Sequence, residues 1–430
     1  MDWNKYIKER AITVEEAARM IKSGDRIISG TGGGTPEPVY EAMVKRSAEL
    51  KNVEIVHMMS YGKGLYCLPE YENAFRHNAM FAGPNQRLAI KEGRADYTAV
   101  FLSDCPTLIR KGILPIDVAL MAVSPPDKVG NVSLGISVDY SLEAALNAKK
   151  VIVEVSPFMP KTYGNTFLHV TQIDHFILSN RPMLPLLSPS IGPVEETIAS
   201  NVAQLIKDGD CLQLGFGSLP NAILRFIEDK HDLGIHSEMI SDGVMHLVDK
   251  DIITCRKKNF HRGKMIFTFA LGSAELYEWM NENSMIEMHP VDYTNNPYII
   301  GKNDNMVSVN SAIAVDLLGQ IAADAIGPMQ FSGVGGQVDF VRGCRISSGG
   351  RSIIALPATA ASGTKSRIVA TFEKGQVVTT TRAEVDYIVT EYGIANIWGK
   401  TVRERVDALT GIAAPQFRDK LQREFKTIYR

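Results

Sequence analysis

The chain of 430 residues is long enough for two or three domains. Its apolar (45%) and charged (22%) shares match a soluble globular protein, and a net charge of -2 lacks the basic excess of nucleic-acid binders. The longest apolar run, ILPIDVALMAV, is interrupted by Asp117 and falls well short of the roughly 20 residues of a membrane span. The charged start MDWNKYIKER has no apolar signal segment. Cys67, Cys105, Cys211, Cys255 and Cys344 are scattered and lack CxxC spacing. That pattern predicts reduced thiols in a cytoplasmic protein and neither a disulfide framework nor a zinc site.

In chain order, TVEEAARM reads as a helix start and RIISG (26–30) as a buried strand, followed by the glycine-rich TGGGTP and the helix PVYEAMVKRSAEL. DVALMAV (117–123) and KVIVEV (150–155) are further buried strands, with the helical SLEAALNAK between them. Pro182, Pro185, Pro189 and Pro193 then mark a linker, which places a domain boundary near 185. PVEETIAS opens a second set: CLQLGFGSLPNAILRF is strand, glycine turn and helix, SIIALP (352–357) is a strand, and two amphipathic helices close the chain. Alternation of this kind predicts an α/β fold with largely parallel sheets.

The two sets resemble each other. IKSGDRIISGTGGGTP and IKDGDCLQLGFGSLP share Ile, Lys, Gly, Asp, Gly and Gly in register, with Ile206 lying 185 positions after Ile21. Two related α/β domains follow, 1–185 and 186–430.

Three glycine-rich turns are candidate ligand sites. In LGFGSLP, Ser218 is a candidate N-cap and Pro220 suits the first helical turn, so free N–H groups there could hold an anion; a plain tight turn is the alternative. FSGVGGQVDF carries Gly333, Gly335 and Gly336, an anion nest or a hairpin. TGGGTP is the third. None fits GxGxxG with a following acidic residue, and no GxxxxGK[ST] is present, which demotes nucleotide redox chemistry and NTP hydrolysis. The nine histidines form no HExxH or HxxxH pair, so no metal site is expected.

In GIHSEMISDG, Gly234 is a candidate helix C-cap and IHSEMI a short strand ending at an Asp242-Gly243 turn. Glu238 inside it is either an exposed or capping carboxylate or a nucleophile toward an acyl group. Burial would cost several kcal/mol without hydrogen bonds. Alternation puts His236 on the same strand face as Glu238. Glu391 and Lys63 read as structural and as a solvated loop residue respectively.

LGIHSEMISDGV, FSGVGGQVDFVRG, HPVDYTNNP, NDNMVSVNSA, VSPPDKVGNVSLG and VTEYGIANIWGKT together resemble the acetyl-CoA hydrolase/CoA-transferase family over essentially the whole chain. More narrowly it resembles the 4-hydroxybutyrate and the butyryl-CoA:acetate CoA-transferases. The resemblance implies the CoA-transferase fold repeated twice and a ping-pong exchange of CoA between short carboxylic acids through a glutamyl-CoA thioester. It places the catalytic glutamate on Glu238. CoA or oxyanion contacts fall on Gln213, Leu214, Gly215, Phe216, Gly217, Ser218 and Leu219, on Asn310 and Ile313, and on Gly335 and Gly336. It implies acetyl-CoA with 4-hydroxybutyrate as substrates, butyrate with acetate as the alternative, no cofactor beyond the CoA thioester, and a homodimer or higher homo-oligomer. An acyl-CoA hydrolase with the same intermediate and a catalytically silent CoA-binding module are rival readings. SGTGGGTPEP is richer in glycine than the loop of the 4-hydroxybutyrate enzymes, which leaves acid specificity open, and Ala414 stands where the family has histidine.

Overall fold

The apolar runs become strands because both of their faces are covered. Val118–Val123 is buried at every position and Lys150–Val155 at all but its first. In the first sheet the order is Asp96–Tyr97, Phe75–Ala79, Val53–His57, Arg26–Ser29, Val118–Val123, Lys150–Val155, His175–Leu178. Every pairing is parallel. The computed structural model describes residues 1–187 and 189–429. Ser188, in the proline-rich linker, lies outside them.

The second sheet runs Gly234–Ile235, Cys211–Leu214, Met306–Ser311, Arg351–Ala355, Tyr387–Thr390, Gly393–Asn396. Its first five strands are parallel, and the last folds back antiparallel as a hairpin. The α/β class and largely parallel sheets expected from the sequence are therefore present. Helices and connections pack against each sheet. In the first, Tyr40 and Met43 of the helix Glu37–Val44 join Ile27, Ile55 and Phe75 in one apolar cluster. In the second, Leu409 and Leu421 of the two C-terminal helices join Ile354 and Ile388.

The chain forms two compact units, the first comprising Met1–Leu187 and Ile266–Thr294. The boundary expected at 185 differs from this grouping in the stretch 266–294. That stretch packs with the first unit through backbone bridges from Ser137 to Phe269 and from Gly164 to Met288.

Several local readings change. The helix after the second glycine turn is Ser218–Phe226 with Gly217 as its N-cap, so Ser218 is already helical. The Gly217 backbone there has φ 137°, which a side chain would strain. Gly234 is no helix cap: it pairs with Cys211 in the sheet. Asp242-Gly243 is no turn but the start of the helix Asp242–Asp249, with Ser241 at its N-cap position. The strand predicted over IHSEMI is interrupted, with Gly234–Ile235 in one sheet and Met239–Ile240 in another. Glu238 stands in the break.

Candidate active site

Both glycine turns follow the strand at which their sheet changes direction. In the first unit the chain builds outward from Arg26–Ser29 to one edge and restarts on its other side at Val118–Val123. In the second, Cys211–Leu214 has Gly234–Ile235 on one side and Met306–Ser311 on the other. The crevice at the carboxyl end of such strands is where open α/β sheets bind ligands.

The turn of the second unit is open. Gly215, Phe216, Gly217 and Ser218 are half-buried, while Leu214 and Leu219 on either side are buried. A methyl group placed on Gly215 would meet nothing closer than Pro220 Cγ at 4.0 Å. Behind the turn, Gln213 and Asn310 exchange two amide hydrogen bonds, at 3.1 and 3.3 Å, across adjacent strands. Parallel pairing of Gln213 with Ser308 brings these side chains within reach. Ile313 lies three residues beyond Asn310, its N–H on the Ala322 carbonyl.

Glu238 is half-buried. Its Oε2 accepts from Asn295 Nδ2 at 2.7 Å. Asn295 is fully buried, and among the described residues its Oδ1 has no hydrogen-bond partner. A neutral donor on a carboxylate favours the ionised form without neutralising it. Gly336, the N-cap of the helix Gln337–Ile346, lies against the same pair. A Cβ there would overlap both the Glu238 carboxylate and the Asn295 amide, so close approach requires glycine. Gly335 beside it adopts φ 57°, a left-handed turn that also favours glycine.

The residues before Glu238 tie it to the open turn. His236 donates its N–H to the Leu212 carbonyl at 3.1 Å, continuing the sheet. Ser237 Oγ donates to the Leu214 carbonyl at 3.2 Å. The His236 ring is fully buried and meets Asn303 Nδ2 at 3.2 Å. Lys258, also buried, donates from Nζ to the Ile235 carbonyl at 2.8 Å and to the Lys264 carbonyl at 2.8 Å.

The structure thus brings Glu238 against Gly336 and joins Gln213 to Asn310. Sequence reasoning missed Asn295. Its signal was present in HPVDYTNNP, but 57 residues separate it from Glu238, and an asparagine before Asn-Pro reads as turn chemistry. Glu391 Oε2 accepts the Ala358 N–H at 2.8 Å, an anchoring role. Lys63 Nζ pairs with Glu41 at 2.8 Å, so its charge is engaged, although it lines a cavity of about 430 Å³ in the first unit with Arg181 and Tyr61. All five cysteines are free and buried. Burial pushes the Cys67, Cys211 and Cys344 thiols up to about 12, which makes them poor nucleophiles. Among the described residues no cluster of three His, Cys, Asp or Glu could hold a metal, and no helix is long and apolar enough to cross a membrane.

Residues 1–188 match the acetyl-CoA hydrolase/transferase N-terminal domain and residues 272–425 the C-terminal domain of that family. The chain is 49% identical to the 4-hydroxybutyrate coenzyme A transferase of Clostridium kluyveri, covering 99% of each. It is 36% identical to the butyryl-CoA:acetate CoA-transferase of Anaerostipes caccae, covering 98% of this chain and 97% of that protein. Among solved structures, RipA from Yersinia pestis superposes with a TM-score of 0.95 at 35% identity over 100% of both chains. The 4-hydroxybutyrate CoA-transferase of Porphyromonas gingivalis does so with a TM-score of 0.85 at 38% identity, also over 100% of both.

Proposed function

The chain belongs to the acetyl-CoA hydrolase/transferase family, and on that premise we propose that it moves CoA between short-chain carboxylic acids through a thioester on Glu238. Acetyl-CoA and 4-hydroxybutyrate are the favoured pair, supported by the identity to the Clostridium kluyveri transferase. The observation that carries the reading is a half-buried carboxylate held by a neutral amide and faced by bare glycine backbone.

A Glu238 oxygen attacks the thioester carbonyl carbon; the C–S bond breaks, leaving an acyl-glutamyl anhydride and the CoA thiolate. The thiolate attacks Cδ of Glu238, the anhydride C–O bond breaks, and the first acid leaves as its carboxylate. The acceptor carboxylate then attacks the glutamyl thioester, and the same steps run in reverse to give the new acyl-CoA and free Glu238. Each tetrahedral species at Cδ carries its negative charge on the oxygen that Asn295 Nδ2 faces. A donor so placed strengthens as charge develops and is typically worth about 3 kcal/mol. The open turn at 215–218 and the N–H groups around Gly336 are the matching surface for the CoA thiol end and the acyl oxyanion. No step needs a metal or redox cofactor.

Glu238→Ala and Glu238→Gln test the assignment. Turnover should fall at least about 10⁴-fold, as for loss of other covalent nucleophiles. Borohydride added after acyl-CoA should inactivate the wild type and mark Glu238 alone in a peptide map. Unchanged turnover in either variant, or a mark on another residue, overturns the mechanism. An acceptor panel of acetate, propionate, butyrate, 4-hydroxybutyrate and succinate ranks the acids. Rapid CoA release that no acid diverts would mean hydrolysis instead.

A further inference from the structure

One cation at the carboxyl edge of the second sheet takes no part in the chemistry above. Arg367 lies between Lys365–Ser366 and Ile368–Val369, in the hairpin region that follows the strand Arg351–Ala355. Its backbone is fixed on both sides: its N–H donates to the Ala358 carbonyl at 2.9 Å, and its carbonyl accepts from Val315 N–H at 2.8 Å. The guanidinium is half-buried. Nη1 donates to the Ala312 carbonyl at 3.4 Å. Nε is buried and, among the described residues, has no hydrogen-bond partner. Glu391 lies close enough to favour the charge, but its Oε2 is engaged by the Ala358 N–H. Burial outweighs that help and pushes the guanidinium below its ordinary pKa.

A guanidinium has five N–H donors in a fixed fork and stays charged. Holding it half-buried with Nε unbonded, beside a carboxylate whose Oε2 is already engaged, leaves it able to take a further anion. Its position suggests which anion. Ala312 lies between Asn310 and Ile313, just past the strand Met306–Ser311. That strand pairs with Cys211–Leu214, which ends in the open glycine turn. The guanidinium therefore borders the same carboxyl edge as the Gln213–Asn310 pair.

We propose that Arg367 binds a phosphate group of the CoA substrate, an inference that rests on the CoA-transfer reading above. CoA carries a pyrophosphate and a ribose phosphate, and a guanidinium matches phosphate oxygens in bidentate fashion. Lys365, exposed in the same hairpin, adds a second positive charge toward solvent. A free carboxylic acid bound at Glu238 has no comparable need for an arginine flanked by the CoA-contact segment.

The test uses the full-length enzyme with acetyl-CoA and with S-acetylpantetheine, which keeps the thioester and lacks every phosphate. For Arg367→Met the KM for acetyl-CoA should rise about ten-fold with kcat within about two-fold, and Arg367→Lys should lose less. On S-acetylpantetheine, wild type and both variants should coincide. Calorimetric binding of free CoA to Glu238→Ala protein, with and without Arg367→Met, should show a similar loss. That arm needs no turnover, so it separates failure at Arg367 from failure of the Glu238 mechanism. An equal loss on both thioesters makes Arg367 merely structural and overturns the proposal. So does a rise confined to the KM of the free carboxylate, or an unchanged KM for acetyl-CoA. If Arg367→Met does not fold, Arg367→Lys on the same pair of thioesters decides it by the same criteria.

Discussion

The two glycine turns occupy the same place in their sheets and use glycine for opposite reasons. In the first unit Gly32, Gly33 and Gly34 form a buried 3-10 turn. A Cβ on each would strike Leu271, Ile136 or Ser137 at 2.7 to 2.8 Å. The glycines are there so that protein can pack against the backbone. In the second unit Gly215 and Gly217 have no neighbour closer than 3.9 Å to a would-be Cβ. Only the φ of Gly217 demands glycine, and the bare backbone faces open space. Side chains thus pack against the glycines of one repeat, where Gly32 still borders the cavity of about 430 Å³, and leave those of the other uncovered. A shared motif identifies a place where binding is possible; the packing around it decides whether binding happens.

The comparison can be broken at its strongest point first. Asn295→Ala removes the donor that holds Glu238 beside the open turn. It should lower kcat by about 10² or more, the usual cost of one oxyanion donor, with little change in the KM for acyl-CoA. Steady-state kinetics with acyl-CoA check it, and an unchanged kcat would strip Asn295 of any part in the chemistry.

Next comes the pair Gly34→Ala and Gly215→Ala. The first forces a methyl to within 2.7 Å of Ser137 Cβ in a buried turn. Overpacking of that kind costs about 1–3 kcal/mol, visible in urea unfolding. The second has room in the protein and should leave stability unchanged or slightly raised, by up to about 1 kcal/mol. It should instead raise the KM for acyl-CoA, since the methyl enters the space assigned to the ligand. If Gly215→Ala leaves binding intact, the open turn is not a ligand surface.

The smallest effect concerns the packed core of the first unit. His57 and His77 are buried beside Tyr66, with the His77 and Tyr66 rings 5.5 Å apart. Burial holds both imidazoles neutral, His57 well below its ordinary pKa and His77 down to about 3. The unfolded chain takes up both protons near pH 6.5, so the stability present above that pH is lost as pH falls. Each histidine contributes a slope of about 1.4 kcal/mol per pH unit below that point. His77→Phe keeps an aromatic ring and should lower the slope measured by urea unfolding between about pH 6 and 5 by roughly 1 kcal/mol per pH unit. An undiminished slope would mean that His77 is not held neutral in the fold.

Much of this was legible along the chain because it is local. Strands such as Val118–Val123 and Lys150–Val155 lie where apolar runs demand burial on both faces. The repeated strand, glycine turn and helix follow from residues within about one turn of each other. Even Glu238 could be singled out, since a carboxylate in an apolar stretch between two glycines needs a reason. Boundaries were less secure. Gly234 looked like a helix cap and is a strand residue, because pairing with Cys211 outweighs the local preference of glycine.

What the sequence by itself determined, then, was the α/β alternation, the duplication, the family resemblance and the nucleophile candidate, all of them properties of short segments or of their order. Tertiary structure alone decided that Asn295 meets Glu238, that Gly336 must lack a side chain, that Arg367 reaches Ala312 with Nε unbonded, and that side chains pack against one glycine turn and not against its counterpart. Each of these depends on side chains brought together from distant parts of the chain. The free energy of such contacts is set by the space and the partners found there, and no local pattern encodes either.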